Sequence, residues 1–516
     1  MFDFLLTHLP ALQVVVPLIA APVCLMLSRG ALAGALALLV AVAAFAMSVL
    51  LLIQVIDAGP ISYQLGGWPP PFGIEYRVDA MNAFVLVIVA ATSALVLPFA
   101  RNSVRAEIPP SKQALFYTVF TLCLTGLLGV TITGDAFNIF VFLEISSLST
   151  YVLVAMGAQR DRRALTASYT YLVMGTIGAT FYVIGLGLLY QVTGTLNMAD
   201  LAVRLDPLGD LTSVRAGFAF ITIGLALKLA MFPIHAWLPN AYTYAPSVVS
   251  IFLAATSTKV AVYVMLRFIF TVFGYDFPVV DLSLETVFLP LALIAMFVAS
   301  AIAVFQTDFK RLLAYSSVAQ IGYMVLGFSM ASVTGLTATM VHLFNHAAMK
   351  GVMFMVAGAV VYRVGSSAVS SFAGLGRQMP WTMAAMVVGG LSLIGVPMTV
   401  GFISKWYLIL AALETGDWVI AFLIVGSSLI AVIYVWRIVE VAYLTPPPAG
   451  AKPVSEAPLS MLLPMWVLAL ACIYFGLDAE LTATIGRTVA EALITGAPSV
   501  PEVPGLDLSI AEGLTK

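Results

Sequence analysis

Charge is what this 516-residue chain has least of: 9% of its residues are Asp, Glu, Lys or Arg, and 61% are hydrophobic. A soluble domain carries roughly 25% charged residues, so the composition excludes a large globular protein and leaves an integral membrane protein. The net charge of −2 and a pI near 6.1 offer no basic surface for nucleic acid, so no nucleic-acid partner is expected. Cysteine is scarce too. Cys24, Cys123 and Cys472 lie far apart in apolar segments, which reads as three buried small hydrophobes without metal-ligand spacing. No phosphate-binding glycine loop, zinc spacing or nucleophile elbow is present, so neither a metal site nor a cofactor is expected. No twin-arginine or cleavable signal pattern precedes the first apolar run, and residues 4–27 read as a retained span.

Long apolar runs are what the chain has in abundance. A helix needs ~20 apolar residues to cross the hydrocarbon core, and backbone groups in lipid must be satisfied within the element. Apolar runs and Gly/Pro breaks predict an all-α membrane protein of about fourteen transmembrane helices. They fall near 4–27, 31–55, 79–100, 114–133, 136–157, 164–192, 216–240, 245–272, 284–305, 311–330, 334–362, 381–412, 418–442 and 457–477. Loops after odd-numbered spans carry Arg29, Arg101, Arg105, Lys112, Arg160, Arg162, Arg163, Lys310, Arg311, Arg363, Arg377, Arg437 and Lys452. Those after even-numbered spans carry Arg77, Arg204 and Arg215 mixed with acids. Under the positive-inside rule both termini lie outside the cell's inner (plasma) membrane. The loops leave no room for a soluble catalytic domain. In the tail, Ala479–Ile494 reads as a short surface helix, followed by breaks at Pro498, Pro501 and Pro504.

Against this background a few charged and titratable side chains are stranded in apolar surroundings. From Leu312 to Tyr362 the only formal charge is Lys350; from Ala216 to Leu266 there are two, Lys228 and Lys259. Glu144, His342, His346 and Lys405 complete the set. An ionised group at mid-bilayer costs at least ~2.5–3.5 kcal/mol, so such residues usually face an internal polar path. His342, His346 and Lys350 stand at i, i+4 and i+8, which on a helix is nearly one face rising ~6 Å per step. They form either a proton ladder ~12 Å long or three polar residues that pack helices. Glu144 and Lys228, a lone acid and a lone base, relieve each other's burial as an ion pair, switchable or static. Lys259 on the next span is placed to relay between Lys228 and the ladder, or to reach back to a helix end. Two spans carry a lysine beside a break: Lys228 before Pro233 and Pro239, and Lys405 after Gly395 and Pro397. Discontinuous helices at matching positions in two halves mark inverted-repeat transporters.

The segments Phe-Leu-Glu144-Ile-Ser-Ser, Lys228…Phe-Pro-Ile-His235-Ala-Trp-Leu-Pro, Asp308-Phe-Lys-Arg-Leu-Leu-Ala-Tyr-Ser-Ser-Val-Ala-Gln-Ile-Gly-Tyr323, His342-x3-His346-x3-Lys350 and Gly-Phe-Ile-Ser-Lys405 carry a family resemblance. Across residues 76–445 the chain resembles the antiporter-like membrane subunits of respiratory complex I, membrane hydrogenases and Mrp-type cation/proton antiporters. Within that family it is most similar to the D subunit of Mrp-type antiporters, through Tyr63–Glu75 and Lys405. The resemblance implies helices 1–3 in residues 1–113, inverted five-helix repeats in 114–272 and 284–442, each with one broken helix, and a last helix and external tail in 443–516. It further implies a polar axis of Glu144, Lys228, Lys259, His342, His346, Lys350 and Lys405 along the membrane plane. The implied function is proton translocation within a multi-subunit Na⁺/proton antiporter, a secondary transporter rather than an enzyme. The alternative is the pumping subunit of a complex I-like quinone oxidoreductase or membrane hydrogenase. Implied partners are membrane subunits on both sides, protons, monovalent cations and the bilayer.

Overall fold

A computed structural model describes residues 2–27, 29–450 and 453–496; Lys452 and the three tail prolines lie outside them. The helices are α1 (Phe2–Met26), α2 (Gly30–Ala58), α3 (Ala80–Glu107), α4 (Gln113–Ile132), α5 (Ala136–Ala155), α6 (Arg163–Thr193), α7 (Met198–Leu205) and α8 (Thr212–Leu229). They continue as α9 (Trp237–Tyr244), α10 (Ser247–Ala255), α11 (Ser257–Leu266), α12 (Leu284–Val304), α13 (Phe309–Ser329), α14 (Val333–Val364), α15 (Leu375–Gln378) and α16 (Pro380–Ile394). The last are α17 (Val400–Glu414), α18 (Trp418–Tyr443), α19 (Leu459–Leu477) and α20 (Glu480–Thr495). Among the described residues 13 helices are long and apolar enough to cross a membrane. The broken pair α16–α17, whose halves are too short singly, supplies the fourteenth crossing element.

Apolarity sorts the helices by depth. Apart from the face that carries His342, His346 and Lys350, α14 is largely apolar, and such a helix belongs in a core. Every residue from Asn345 to Val361 is buried, and α14 packs against α10, α13, α16, α17, α19 and α20. The segment expected as a surface helix is therefore α20, laid across α14 with Ile485, Val489 and Leu493 inward. α2, α6, α12 and α18 form the periphery, with under two-fifths of their apolar windows buried.

One local device recurs in the two halves. Asp135 caps α5 by accepting from Asn138 N, and bridges in antiparallel fashion to Asn197, four residues past α6. Asp308 caps α13 by accepting from Arg311 N and bridges to Ala368, four residues past α14. The backbone bonds correspond one for one: Ala136 N to Leu196 O and Met198 N to Gly134 O, then Phe309 N to Ser367 O and Val369 N to Thr307 O. A left-handed glycine ends the long helix each time, Gly194 and Gly365. Five crossings separate Asp135 from Asp308, an odd number, so the two locks lie on opposite faces of the membrane.

One element was not anticipated. The loop between α2 and α3 holds an antiparallel hairpin, β1 (Ile61–Gln64) and β2 (Glu75–Val78), with Ile61 opposite Val78. Buried Glu75 accepts from Ser62 Oγ at 2.5 Å and Asn197 Nδ2 at 2.9 Å, fixing the hairpin over the first lock. Asp79 then caps α3 and pairs with Arg267 at 2.7 Å. Burial pushes the Asp79 carboxyl up, but the Arg267 guanidinium outweighs it and holds the group below the usual carboxylate range.

Candidate functional site

Where a helix breaks, its last carbonyls lose their partners, and a cation placed there meets several acceptors at once. Two of the stranded lysines, Lys259 and Lys405, use this, and a third, Lys228, stands beside a break but meets side chains instead. Lys228 lies in the last turn of α8, which ends where Ala230 turns left-handed (φ 58°). Trp237 of α9 donates Nε1 to Leu227 O at 2.9 Å and stacks on Tyr171, closing the break around that carbonyl. Lys228 Nζ donates to Glu144 Oε1 at 3.2 Å and to Ser147 Oγ at 2.7 Å, so carboxylate and ammonium are in direct contact. Close packing of α6 on α8 sets that position. A Cβ on Gly224 would stand 2.5 Å from Gly178 O, so only glycine permits the approach.

Pro233 lies in the α8–α9 break, and Gly395 and Pro397 lie in the α16–α17 break. Pro239 does not break a helix. It occupies the first turn of α9, where its missing N–H would have no intrahelical partner in any case.

Lys259 stands at a break that the sequence reading took as continuous helix. The span expected over 245–272 divides at Thr256 (φ −124°, ψ −61°) into α10 and α11. Thr256 Oγ1 donates to Phe252 O at 2.7 Å, and the Thr256-Ser257-Thr258 run is the local signal, since such side chains compete for backbone groups. Lys259 is fully buried and donates to Ala254 O at the end of α10.

The ladder lies on α14 with no member facing lipid: His342, His346 and Lys350 are all fully buried. The two imidazoles are parallel, with centroids 6.0 Å apart. His342 Nδ1 meets Ser404 Oγ at 2.8 Å; Lys350 donates to Leu313 O at 2.9 Å and to Ser316 Oγ. Among the described residues neither ring nitrogen of His346 has a partner, nor does His342 Nε2. Buried polar atoms of this kind are satisfied by internal water, which is also what a proton needs to move between rings.

Lys405 closes the row. Its Nζ donates to Leu393 O at 3.1 Å and Ile394 O at 2.8 Å, the last carbonyls of α16, and lies 4.8 Å from the centre of the Tyr323 ring. The Tyr323 hydroxyl is held by Ser427 Oγ at 2.9 Å. Two carbonyls and an aromatic face thus surround the Lys405 ammonium. Ser147, Ser316, Ser404 and Tyr323 lie in or at the end of the segments that carry the resemblance, but none was given a role from sequence, because a serine or tyrosine in an apolar helix carries no sign of which distant side chain it meets.

The elements bearing these groups are neighbours. α5 meets α8 through Glu144–Lys228, α8 packs on α11, α10 on α14, and α14 on α17. Glu144, a quarter exposed, marks one lateral edge, flanked on α5 by exposed Val141 and Leu148.

Residues 133–431 match the family model described as NADH:quinone oxidoreductase/Mrp antiporter, TM. The chain is 42% identical over 488 residues to the N subunit of the NADH-quinone oxidoreductase of Desulforudis audaxviator, covering 92% of this chain and 96% of that one. It is 28% identical over 448 residues to the D subunit of the Na(+)/H(+) antiporter of Alkalihalophilus pseudofirmus, covering 87% and 89%. Among solved structures, a chain of the Mrp complex from Dietzia sp. superposes with a TM-score of 0.87 at 26% identity, covering 96% of this chain and 98% of that one. The chain belongs to the NADH:quinone oxidoreductase/Mrp antiporter transmembrane family.

Proposed function

We propose that this chain is the proton-translocating subunit of a multi-subunit monovalent cation/proton antiporter, with Na⁺ as the exchanged cation. The observation that carries the reading is the row of adjacent helices, each holding buried titratable groups from Glu144 on α5 to Lys405 on α17. Inverted repeats over 114–272 and 284–442 place a lysine at a broken helix in each half, the arrangement alternating-access carriers use near the midplane. Glu144, Lys228, Lys259, Lys350, His346, His342 and Lys405 pass protons along this row. Partner membrane subunits lie at both ends, and the charge asymmetry of the loops sets both termini outside the plasma membrane.

A second reading is favoured by the 42% identity to a quinone oxidoreductase subunit: the same row driven by redox partners. One experiment separates them. The assembled complex is purified, reconstituted into proteoliposomes with an imposed pH gradient, and Na⁺ is added without electron donor or quinone. Exchange under these conditions supports the antiporter. Proton movement only while a donor is oxidised supports the redox-driven pump, and no movement under either condition overturns both.

A further inference from the structure

A cavity of about 330 Å³ opens between α2, α3 and α4, away from the buried row. One end is polar and basic: Arg101 and Arg105 of α3, Gln113 and Tyr117 of α4, and Ser460 of α19. The rest is apolar, with Ala31, Gly34, Ala35 and Leu38 along one face of α2 and Leu97 and Pro98 opposite. The basic end lies where α2 and α4 begin and α3 ends, which is the boundary of the apolar layer on one face of the membrane.

The cations there are unspent. The exposed side chains of Arg101 and Arg105, with Arg29 and Lys112 nearby in the same boundary loops, make no ion pair or hydrogen bond with a described residue. The one carboxylate in that stretch, Glu107, is turned away to Ser103 and Ser247. Tyr117 is only 5% exposed, yet its hydroxyl has no hydrogen-bond partner among the described residues. Gly34 leaves it room, because a Cβ there would lie 2.8 Å from the Tyr117 ring. An unpartnered hydroxyl donor lining the same cavity as two free guanidiniums fits a phosphodiester, and an alanine–glycine–leucine track leading into the apolar layer fits an acyl chain.

We propose that this cavity holds one anionic phospholipid, its phosphate on Arg101, Arg105 and the Tyr117 hydroxyl and the start of an acyl chain along α2. Basic pockets between transmembrane helices recognise anionic headgroups in this way.

The test uses the assembled complex in nanodiscs of phosphatidylcholine containing about one-fifth phosphatidylglycerol, followed by extensive delipidation and quantification of retained lipid per chain by mass spectrometry. The wild type is expected to retain about one phosphatidylglycerol per chain at this site and to hold it against millimolar inorganic phosphate. With ~1 kcal/mol per basic residue near the surface, Arg101→Gln weakens retention roughly fivefold, and Arg101→Gln/Arg105→Gln roughly thirtyfold. Arg101→Lys/Arg105→Lys restores most of it. Arg77→Gln/Arg204→Gln, on the opposite face, leaves it unchanged. Equal retention by wild type and the double glutamine variant, equal retention of phosphatidylcholine, or displacement by inorganic phosphate overturns the proposal. Loss of a partner subunit from the double variant with lipid retention unchanged also overturns it, since the cavity is then a protein interface.

Discussion

Replacing Glu144 by Gln removes one charge of the Glu144–Lys228 pair while keeping shape and hydrogen-bonding capacity. At 3.2 Å and an effective dielectric constant of ~20, the pair attracts by roughly 5 kcal/mol. Screening through the quarter-exposed carboxylate brings the cost of breaking it into the roughly 3–5 kcal/mol range of buried pairs. One elementary charge crossing a ~100 mV potential releases only ~2.3 kcal/mol, so the loss exceeds the drive available per proton. A 3 kcal/mol penalty on the rate-limiting transfer slows turnover by at least ~100-fold. Lys228→Ala gives the same loss from the other side, and Glu144→Asp, which keeps the charge, gives a smaller one. The assay is Na⁺-induced collapse of a pH gradient in everted vesicles, followed with a pH-sensitive dye, with native gels to verify that the complex is assembled. If Glu144→Gln retains more than half of wild-type exchange in assembled complex, the pair orients helices and carries no protons.

The ladder gives a second expectation: His346→Ala leaves assembly intact and lowers proton-coupled exchange at least about tenfold, whereas unchanged exchange at every pH would show that the imidazole only packs. Gly224→Val forces α6 away from α8 against backbone atoms, so thermal unfolding of the detergent-solubilised complex should report a loss of roughly 1–3 kcal/mol, with exchange falling as Lys228 shifts. Asp79→Asn should cost about 2 kcal/mol at pH 7, between the values for exposed and buried pairs. Because the Asp79 carboxyl is held below its ordinary value, that stability is present above roughly pH 4 and fades as pH falls through the lowered value. The difference in unfolding temperature between wild type and variant should therefore shrink as pH falls below the ordinary carboxylate range.

What the sequence determined alone was whatever depends on neighbours along the chain. Hydropathy summed over some twenty residues marks a span wherever it folds, so fourteen crossings and their loops were legible before any contact was known. Pro233 and the Gly395–Pro397 pair interrupt helices through their own backbone chemistry, and the i, i+4, i+8 spacing puts His342, His346 and Lys350 on one face by helix geometry alone. The Glu144–Lys228 pair, 84 residues apart, was accessible only because acid and base are so rare here that each had few possible partners. Where many partners were possible, tertiary structure decided. It divided the helix at Thr256 beside Lys259, kept Pro239 inside a first turn, and folded Ile61–Val78 into a hairpin. It gave Lys405 the carbonyls of Leu393 and Ile394 and the face of Tyr323, and it put α14 at the centre, so that the ladder faces protein. Carbonyls, serines and aromatic rings occur throughout an apolar chain, and only the packing of helices distant in sequence selects which of them a buried cation meets.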